Sequence, residues 1–460
     1  MRRTRVLAFS GICYSTVRLF DTAQYRIRGE SAAQIAASVE RAIDEGALRP
    51  GDPLPSVRAL ASELGVSPTT VTAALGELRS RGLIVTRARS GAHVSWRPPV
   101  AGPWFGPAVP AGARDLASGN PDPRLLPNLK PFLRRIDPPR QLYGGEPVVG
   151  ELRELATDEL AGAGIEAGEL VVVSGALDGI ERALQARLRP GDVIAVEDPG
   201  YAGLFDLLRA LGLALRPVPV DGKGMVPGAL REALAEGAAA VIVNPRGQNP
   251  TGASFDRQRA RELREALDRE PDVMVLEDDH LGPIAGAPRL TLAAGRRSWV
   301  AARSVAKSLG PDLRLAVLAG DPLTISRVRG RQAVGPQWVS HLLQRLVAAM
   351  WGDAKVNETL RHATEAYGER RERFLAALAE RGIVARAPAG LNVWIPVPDE
   401  TALVQALLEQ GWAVAAGGPF RLRSERAIRV TTSGLREREA ARLASAIEAA
   451  LRPTGHTRTA

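Results

Sequence analysis

The sequence predicts a two-part α/β protein: a small helical module closed by a β-hairpin, then a much larger unit with a mainly parallel sheet. Three observations predict it. Helical periodicity with capping residues runs from about Ser31 to Gly82 and is followed by two short β-branched runs. A proline- and glycine-rich stretch without periodicity follows, "RPPVAGPWFGPAVPAGAR". Beyond it, short apolar runs alternate with amphipathic helical segments for more than three hundred residues. At 460 residues the chain exceeds one ordinary domain of roughly 100–200 residues.

The first helix lies in "SAAQIAASVERAIDEGAL", where Ile35, Val39, Ile43 and Leu48 recur at spacings near four. "LRPGDPLPS" breaks it. Ser56 is placed to cap a second helix, "VRALASELG", which Gly65 ends. In "VSPTTVTAALGELRSRG", Ser67 can accept from an orphan amide and Pro68 fits the first helical position. Val71, Ala74, Leu75 and Leu78 then form the buried stripe, and Gly82 closes the helix. "LIVTRARSGAHVSW" reads as a hairpin around "RSG". Three short helices and a hairpin make a winged helix-turn-helix. Its third helix must be slim and polar outside to enter a major groove. From Leu78 to Arg114 there is no acidic residue but six arginines, among them Arg87 and Arg89. That basic block points to nucleic acid more than the net charge of +9 does. The alternative at this point is a helical domain that binds protein.

The larger unit begins at Asp115. "LVVVSG", "DVIAVED", "AAVIVNP", "DVMVLEDD" and "WVAARSVAKSL" are buried-strand candidates. "ELRELATDELAGAG", "GIERALQARL", "LFDLLRALG" and "FDRQRARELREALDRE" are the helices between them. Such alternation argues helices on both faces of a largely parallel sheet. After "HLLQRLVAAMW", a smaller C-terminal α/β lobe is expected from "RGIVARAPAGLNVWIPVP" and "RAIRVTTS". Ligands of such sheets gather beyond the strand C-termini. There stand "SGALDG", "EDPGY", "NPRGQNPTG", "EDDH" and "SVAKS".

Those ends offer a phosphate cradle, an aromatic, an amide, carboxylates and Lys307, which is one of only four lysines in an arginine-rich chain. Together they ask for a cofactor with a phosphate, a flat ring, a basic ring nitrogen and an aldehyde; pyridoxal 5′-phosphate has all four. A carboxylate keeps the ring nitrogen protonated, a desolvated lysine forms the imine, and amides at a helix N-terminus take the phosphate. Arginine cannot replace that lysine, because a guanidinium neither deprotonates nor forms an imine here.

Both parts resemble known families. "LRPGDPLPSVRALASELGVSPTTVTAALGELRSRGLI" resembles the GntR-type winged helix. The resemblance implies DNA contacts from Arg58, Ser67, Thr69, Thr70 and Thr72, with Arg87 and Arg89 beside Gly91 at the wing. Where that family often places arginine, this chain has Pro68 and Thr72. Residues 115–450 are similar to fold-type I aminotransferases of the class I/II group. By that resemblance Lys307 is the lysine that carries the cofactor as its aldimine. Ser304, Arg314, Gly175, Ala176 and Leu177 hold the phosphate, although a polar residue is usual where Leu177 stands. Tyr201 stacks on the ring, Asn249 lies near the ring hydroxyl, and Asp278 partners the ring nitrogen. Arg429 holds an amino-acid carboxylate, and Tyr143 crosses a dimer interface to the neighbour's phosphate. His280 stands where that family has tyrosine; a free imidazole titrates near neutrality, so transamination is expected either to survive or to be slowed or lost.

The order of the two parts resembles the MocR family of bacterial regulators. The implied function is transcription regulation by a dimer on repeated DNA half-sites, responsive to a small amine, an amino acid or pyridoxal phosphate itself. The rival is a working aminotransferase with an appended winged helix. The expected division is a flexible extension at 1–26, the winged helix at 27–96, a linker at 97–114, the pyridoxal-phosphate unit at 115–452 and a tail at 453–460. No metal site and no membrane span are expected. The opening "MRRTRVLAFSGICYSTVRLF" is too interrupted for a signal peptide, and the single Cys13 forbids an intrachain disulfide. A cytoplasmic, nucleoid-associated protein is therefore expected.

Overall fold

A computed structural model describes residues 26–49, 51–80, 82–87, 91–95, 109–136, 139–140, 142–166 and 168–452. They form two compact units divided between residues 98 and 99. Residues 1–25 of the expected extension, Arg89, residues 97–108 of the expected linker and the 453–460 tail lie outside the described residues.

The first unit has helices α1 (Ala32–Asp44), α2 (Val57–Leu64) and α3 (Pro68–Ser80), then strands β1 (Ile84–Arg87) and β2 (Gly91–Val94). The capping residues act as their chemistry dictates. Ser31 accepts from Gln34 N, Ser56 accepts from Ala59 N, and Gly65 ends α2 at φ 67°. Ser67 accepts from Thr70 N at 3.1 Å, and Pro68 opens α3. Val71, Ala74, Leu75 and Leu78 are buried against Ile35, Val39, Leu60 and Ile84. β1 and β2 pair antiparallel from Ile84 with Val94 to Arg87 with Gly91. The break "GDPL" is also structural. Gly51 N donates to Val94 O, Val94 N to Asp52 O and Leu54 N to Ala92 O, adding a third short edge to the wing.

The second unit opens with β3 (Arg114–Leu116), so ordered sheet starts one residue before the expected domain boundary. α4 (Lys130–Leu133) and α5 (Gly150–Gly162) lead to β4 (Glu169–Val173), α6 (Ala176–Arg187), β5 (Val193–Asp198) and α7 (Ala202–Ala210). Next come β6 (Ala214–Asp221), β7 (Gly224–Met225), α8 (Pro227–Ala235), β8 (Ala240–Val243), α9 (Arg257–Asp268) and β9 (Met274–Asp279). β10 (Trp299–Ser304), β11 (Ala316–Gly320), α10 (Pro322–Ala333), α11 (His341–Trp351) and α12 (Ala354–Ala379) complete the large lobe.

Its sheet runs β4-β11-β10-β9-β8-β5-β6-β7. β10, β9, β8, β5 and β6 are mutually parallel, while β11 is antiparallel to both β10 and β4. Strand alternation divides the apolar residues between two cores. Val171, Val173, Ile194 and Val196 pack with Ile180, Phe205 and Ile325 on one face. Val172, Ala195, Val241 and Val275 pack with Leu152, Leu230 and Leu263 on the other. The strand direction brings the C-terminal ends of β4, β5, β8, β9 and β10 to one edge. β11 begins at that edge, two residues after Arg314.

The small lobe contains β12 (Asn392–Pro396), α13 (Glu400–Glu409), β13 (Trp412–Ala416), β14 (Ala427–Thr431) and α14 (Glu437–Leu451). Its sheet is β12-β14-β13-β3, with β3 parallel to β13. Arg429 stands on the inner strand β14.

Candidate functional site

Lys307 lies in the turn after β10, half-buried, and its ammonium donates to Gly119 O at 2.7 Å. Burial, and then the Arg429 charge, pull its pKa down to about 8. His280, just past β9, is held down to about 4 by burial first and by Lys307 second. Burial thus holds the His280 imidazole well below the near-neutral range of a free imidazole. Asn244, just past β8, donates through Nδ2 to Asp278 O at 2.8 Å and lies 3.5 Å from His280 Nδ1.

β9 ends in three consecutive buried carboxylates, and alternation sends them different ways. Glu277 accepts from Thr291 Oγ1 and from the amides of Leu292 and Ala293. Burial alone would raise Asp279, but a bidentate ion pair with Arg246 at 2.7 and 2.9 Å, with Arg289 and Arg303 nearby, holds it well below the usual range. Asp278 points elsewhere and has no such partner. Burial, reinforced by Asp279, pushes it up to about 7, and its Oδ1 is buried without a hydrogen bond.

Tyr201 precedes α7. Burial pushes its phenol up to about 12, and it feels the charges of Asp278, Arg429 and Arg314, so these four groups share one neighbourhood. Arg429 donates to Asn249 Oδ1 at 3.0 Å and to Ala117 O, and its guanidinium lies 4.5 Å above the Phe420 ring. Among the described residues no carboxylate forms an ion pair with it, and burial lowers its pKa to about 10. Asp198, at the end of β5, accepts from the amides of Leu422, Arg423 and Ser424, which ties the loop beside Phe420 to the large lobe.

Gly175 caps α6 at φ 114°, a conformation open to glycine. A Cβ there would stand 3.2 Å from Arg314 Nη2, so the missing side chain keeps a cradle open between the α6 amides and that guanidinium. Ala176 and Leu177 are the first residues of α6, and Ser304 is buried at the end of β10. Two features therefore leave room for a group from outside the chain: a buried carboxylate oxygen lacking a donor and a cationic cradle lacking an anion. They suit a flat phosphorylated ring with a basic nitrogen.

Tyr143 is not covered by its own chain. It is 83% exposed and edge-on to Trp338 at 5.7 Å. In the first unit, Arg58, Ser67, Thr69 and Thr72 are exposed and Thr70 is half-buried. Gly91 opens β2 at φ 81° opposite Arg87, next to the wing tip. Sequence reasoning missed Gly119, Ala117, Asn244, Phe420 and Asp198. Asn244 and Asp198 stood inside quoted motifs and could have been found; Ala117, Gly119 and Phe420 carry no local signal. Among the described residues no group of three metal-ligating side chains occurs, and no helix is long and apolar enough to cross a membrane.

Residues 114–447 match the family model for aminotransferase class I and II, and residues 31–94 match that for bacterial regulatory proteins of the gntR family. The chain is 41% identical over 429 residues to the vitamin B6 salvage pathway transcriptional repressor PtsJ of Salmonella typhimurium, covering 92% of this chain and 99% of that protein. It is 30% identical to the HTH-type transcriptional regulator TauR of Rhodobacter capsulatus, over 85% and 90% of the two chains. An archaeal alanine:glyoxylate aminotransferase superposes with a TM-score of 0.68 at 22% identity, over 74% of this chain and 90% of that one, a likeness of fold.

Proposed function

Because the chain belongs to the MocR-type transcriptional regulators, with a gntR-family winged helix fused to a fold-type I aminotransferase-like unit, we propose that its larger unit binds pyridoxal 5′-phosphate at Lys307 and senses a small amino compound or the cofactor itself. The observation that carries this reading is the partnerless Asp278 Oδ1 in the neighbourhood of Tyr201, Arg429 and Arg314. Bound there, the cofactor would supply an aldehyde that captures a primary amine and a ring that withdraws electrons.

The chain's own residues have separable tasks. Asp278 accepts a proton-bearing ring nitrogen. The α6 amides at Gly175–Leu177, Ser304 and Arg314 hold the phosphate. Tyr201 packs on the ring, and Asn249 and His280 donate toward its hydroxyl. Lys307 presents an amine that burial has made easier to deprotonate. Arg429, buried without a counter-ion, takes the carboxylate of an amino-acid effector. Similarity to a vitamin B6 salvage repressor favours a B6 vitamer as one signal. Exposed Leu142 and Tyr143 support a dimer in which Tyr143 reaches the neighbour's site. The winged helices bind paired half-sites in double-stranded DNA. Ligand controls that binding to the extent that two conformations of the protein bind it unequally.

The test has two arms. Purified protein should show a visible cofactor band that Lys307→Ala abolishes, and it should bind its own upstream DNA with strong salt dependence. Lack of a band, or of specific DNA binding, would overturn the corresponding half. The intact amine and carboxylate-binding set also favours a second reading, a working aminotransferase. Rapid turnover of amino donor and keto acceptor, unchanged in His280→Tyr, would support that reading; slow turnover raised by the substitution would support the sensor.

A further inference from the structure

We propose that α3 reads thymine methyl groups rather than guanine edges, so that the half-sites carry A·T pairs opposite Thr69, Thr72 and Ala73. This rests on the DNA-binding reading above.

Reading guanine in the major groove takes a bidentate cation, and reading adenine takes an asparagine or glutamine. The sequence of α3, "PTTVTAALGELRS", holds no arginine, lysine, asparagine, glutamine or histidine before Arg79 in its last turn. Recognition helices use their N-terminal residues at the base edges, so Arg79 is at the wrong end.

The hydroxyls on that end are largely engaged within the helix. Thr72 Oγ1 donates to Pro68 O at 2.8 Å. Ser67 Oγ pairs with Thr69 Oγ1 at 2.6 Å and with Thr70 Oγ1 at 2.8 Å, and it accepts from Thr70 N. Two hydroxyl–hydroxyl bonds consume two of the three protons of that trio. The exposed residues Thr69, Thr72 and Ala73 then offer methyl groups and acceptor oxygens. One turn on from Thr72 stands Gly76, where a Cβ would meet nothing within 4 Å, so the face is narrow as well as apolar. Thymine is the base that puts a methyl group into the major groove, and threonine and alanine methyls are its natural contacts. Exposed Arg58 stands on α2, outside the helix that enters the groove.

The experiment selects binding sites for the full-length protein from a pool of random duplexes, then replaces each thymine of the selected site by uracil, which deletes only the methyl. The expected result is an A·T-rich half-site and a loss of about three- to fivefold in affinity at each contacted thymine, the size of burying one methyl group. Thr72→Ser keeps the hydroxyl and loses the methyl, so it should erase the penalty at one base and leave the others. Thr72→Arg should turn that base toward guanine. Selection of G·C pairs at these positions, tolerance of uracil throughout, or an identical uracil profile in Thr72→Ser would overturn the proposal. Salt-sensitive binding without sequence enrichment would overturn it too, with DNA binding intact; no binding at all would overturn the DNA-binding reading itself.

Discussion

Lys307 and Gly119 are joined across 188 residues of sequence by a 2.7 Å hydrogen bond from the ammonium to the carbonyl. The same glycine donates its amide to Thr431 Oγ1 at 3.1 Å, and a Cβ on it would stand 3.3 Å from Arg429 Nη2. The Lys307 amine, the Arg429 guanidinium and the segment that follows β3 thus converge on one backbone position. A ligand that takes the amine must release that carbonyl.

The Lys307 amine should therefore react as a group of pKa about 8, where burial and Arg429 hold it. Its neutral fraction grows as pH rises through that value. Capture of pyridoxal phosphate by cofactor-free protein, followed by stopped-flow absorbance, should accelerate through about pH 8. A midpoint near the ordinary 10.5 of lysine would show that the amine is solvated.

Arg429→Ala should leave the cofactor band in place and weaken the response to an α-amino acid by roughly 10- to 100-fold, the range for losing a charge-assisted pair. The decarboxylated amine of the same side chain should bind unchanged. Spectral titration with both ligands distinguishes this from general damage, which would weaken both.

Asp278, held up to about 7 from its usual 3.8, makes cofactor-free protein pH-sensitive. Between those values the folded state keeps a proton that the unfolded chain has released. Stability is therefore lost as pH climbs from about 4 to about 7, and the penalty is complete above 7. Buried Glu197, held up to about 8, acts in the same direction. Asp278→Asn should raise the Tm of cofactor-free protein near pH 8, flatten its pH profile and sharply weaken cofactor binding. A lowered Tm near pH 8 would contradict the burial argument.

Leu78 is fully buried in a core that belongs to the first unit alone. Leu78→Ala should destabilise that unit by about 2–5 kcal/mol and abolish DNA binding. The visible band of the second unit should persist. Calorimetry with absorbance checks both parts of this outcome.

Much of the architecture was legible because burial imposes a period on sequence. β4, β5, β8, β9 and β10 are continuous apolar runs with polar ends, and the helices between them carry clear apolar stripes. β6 was not legible. Pro217 and Pro219 argue against a strand, yet β6 lies near the sheet edge, where a missing amide is tolerated. β11 was hidden because its pairing with β4 comes from residues well over a hundred positions earlier. β3 joins β13 for the same kind of reason. The edge made by "GDPL" exists only because the wing folds back against it.

The sequence by itself determined the two-part order, the helix caps of the first unit, the polar ends of the parallel strands and the residue types gathered there. Those follow from local geometry and from the spacing of apolar residues. Only the tertiary structure decided the electrostatic state of the site. Asp278 and Asp279 are adjacent and chemically identical, yet one is pushed up to about 7 and the other held well below its usual range. His280 is held down to about 4 although a free imidazole is half charged near neutrality. A charge is stabilised or penalised by the water and partners around it, and those partners arrive from distant segments only when the chain has folded.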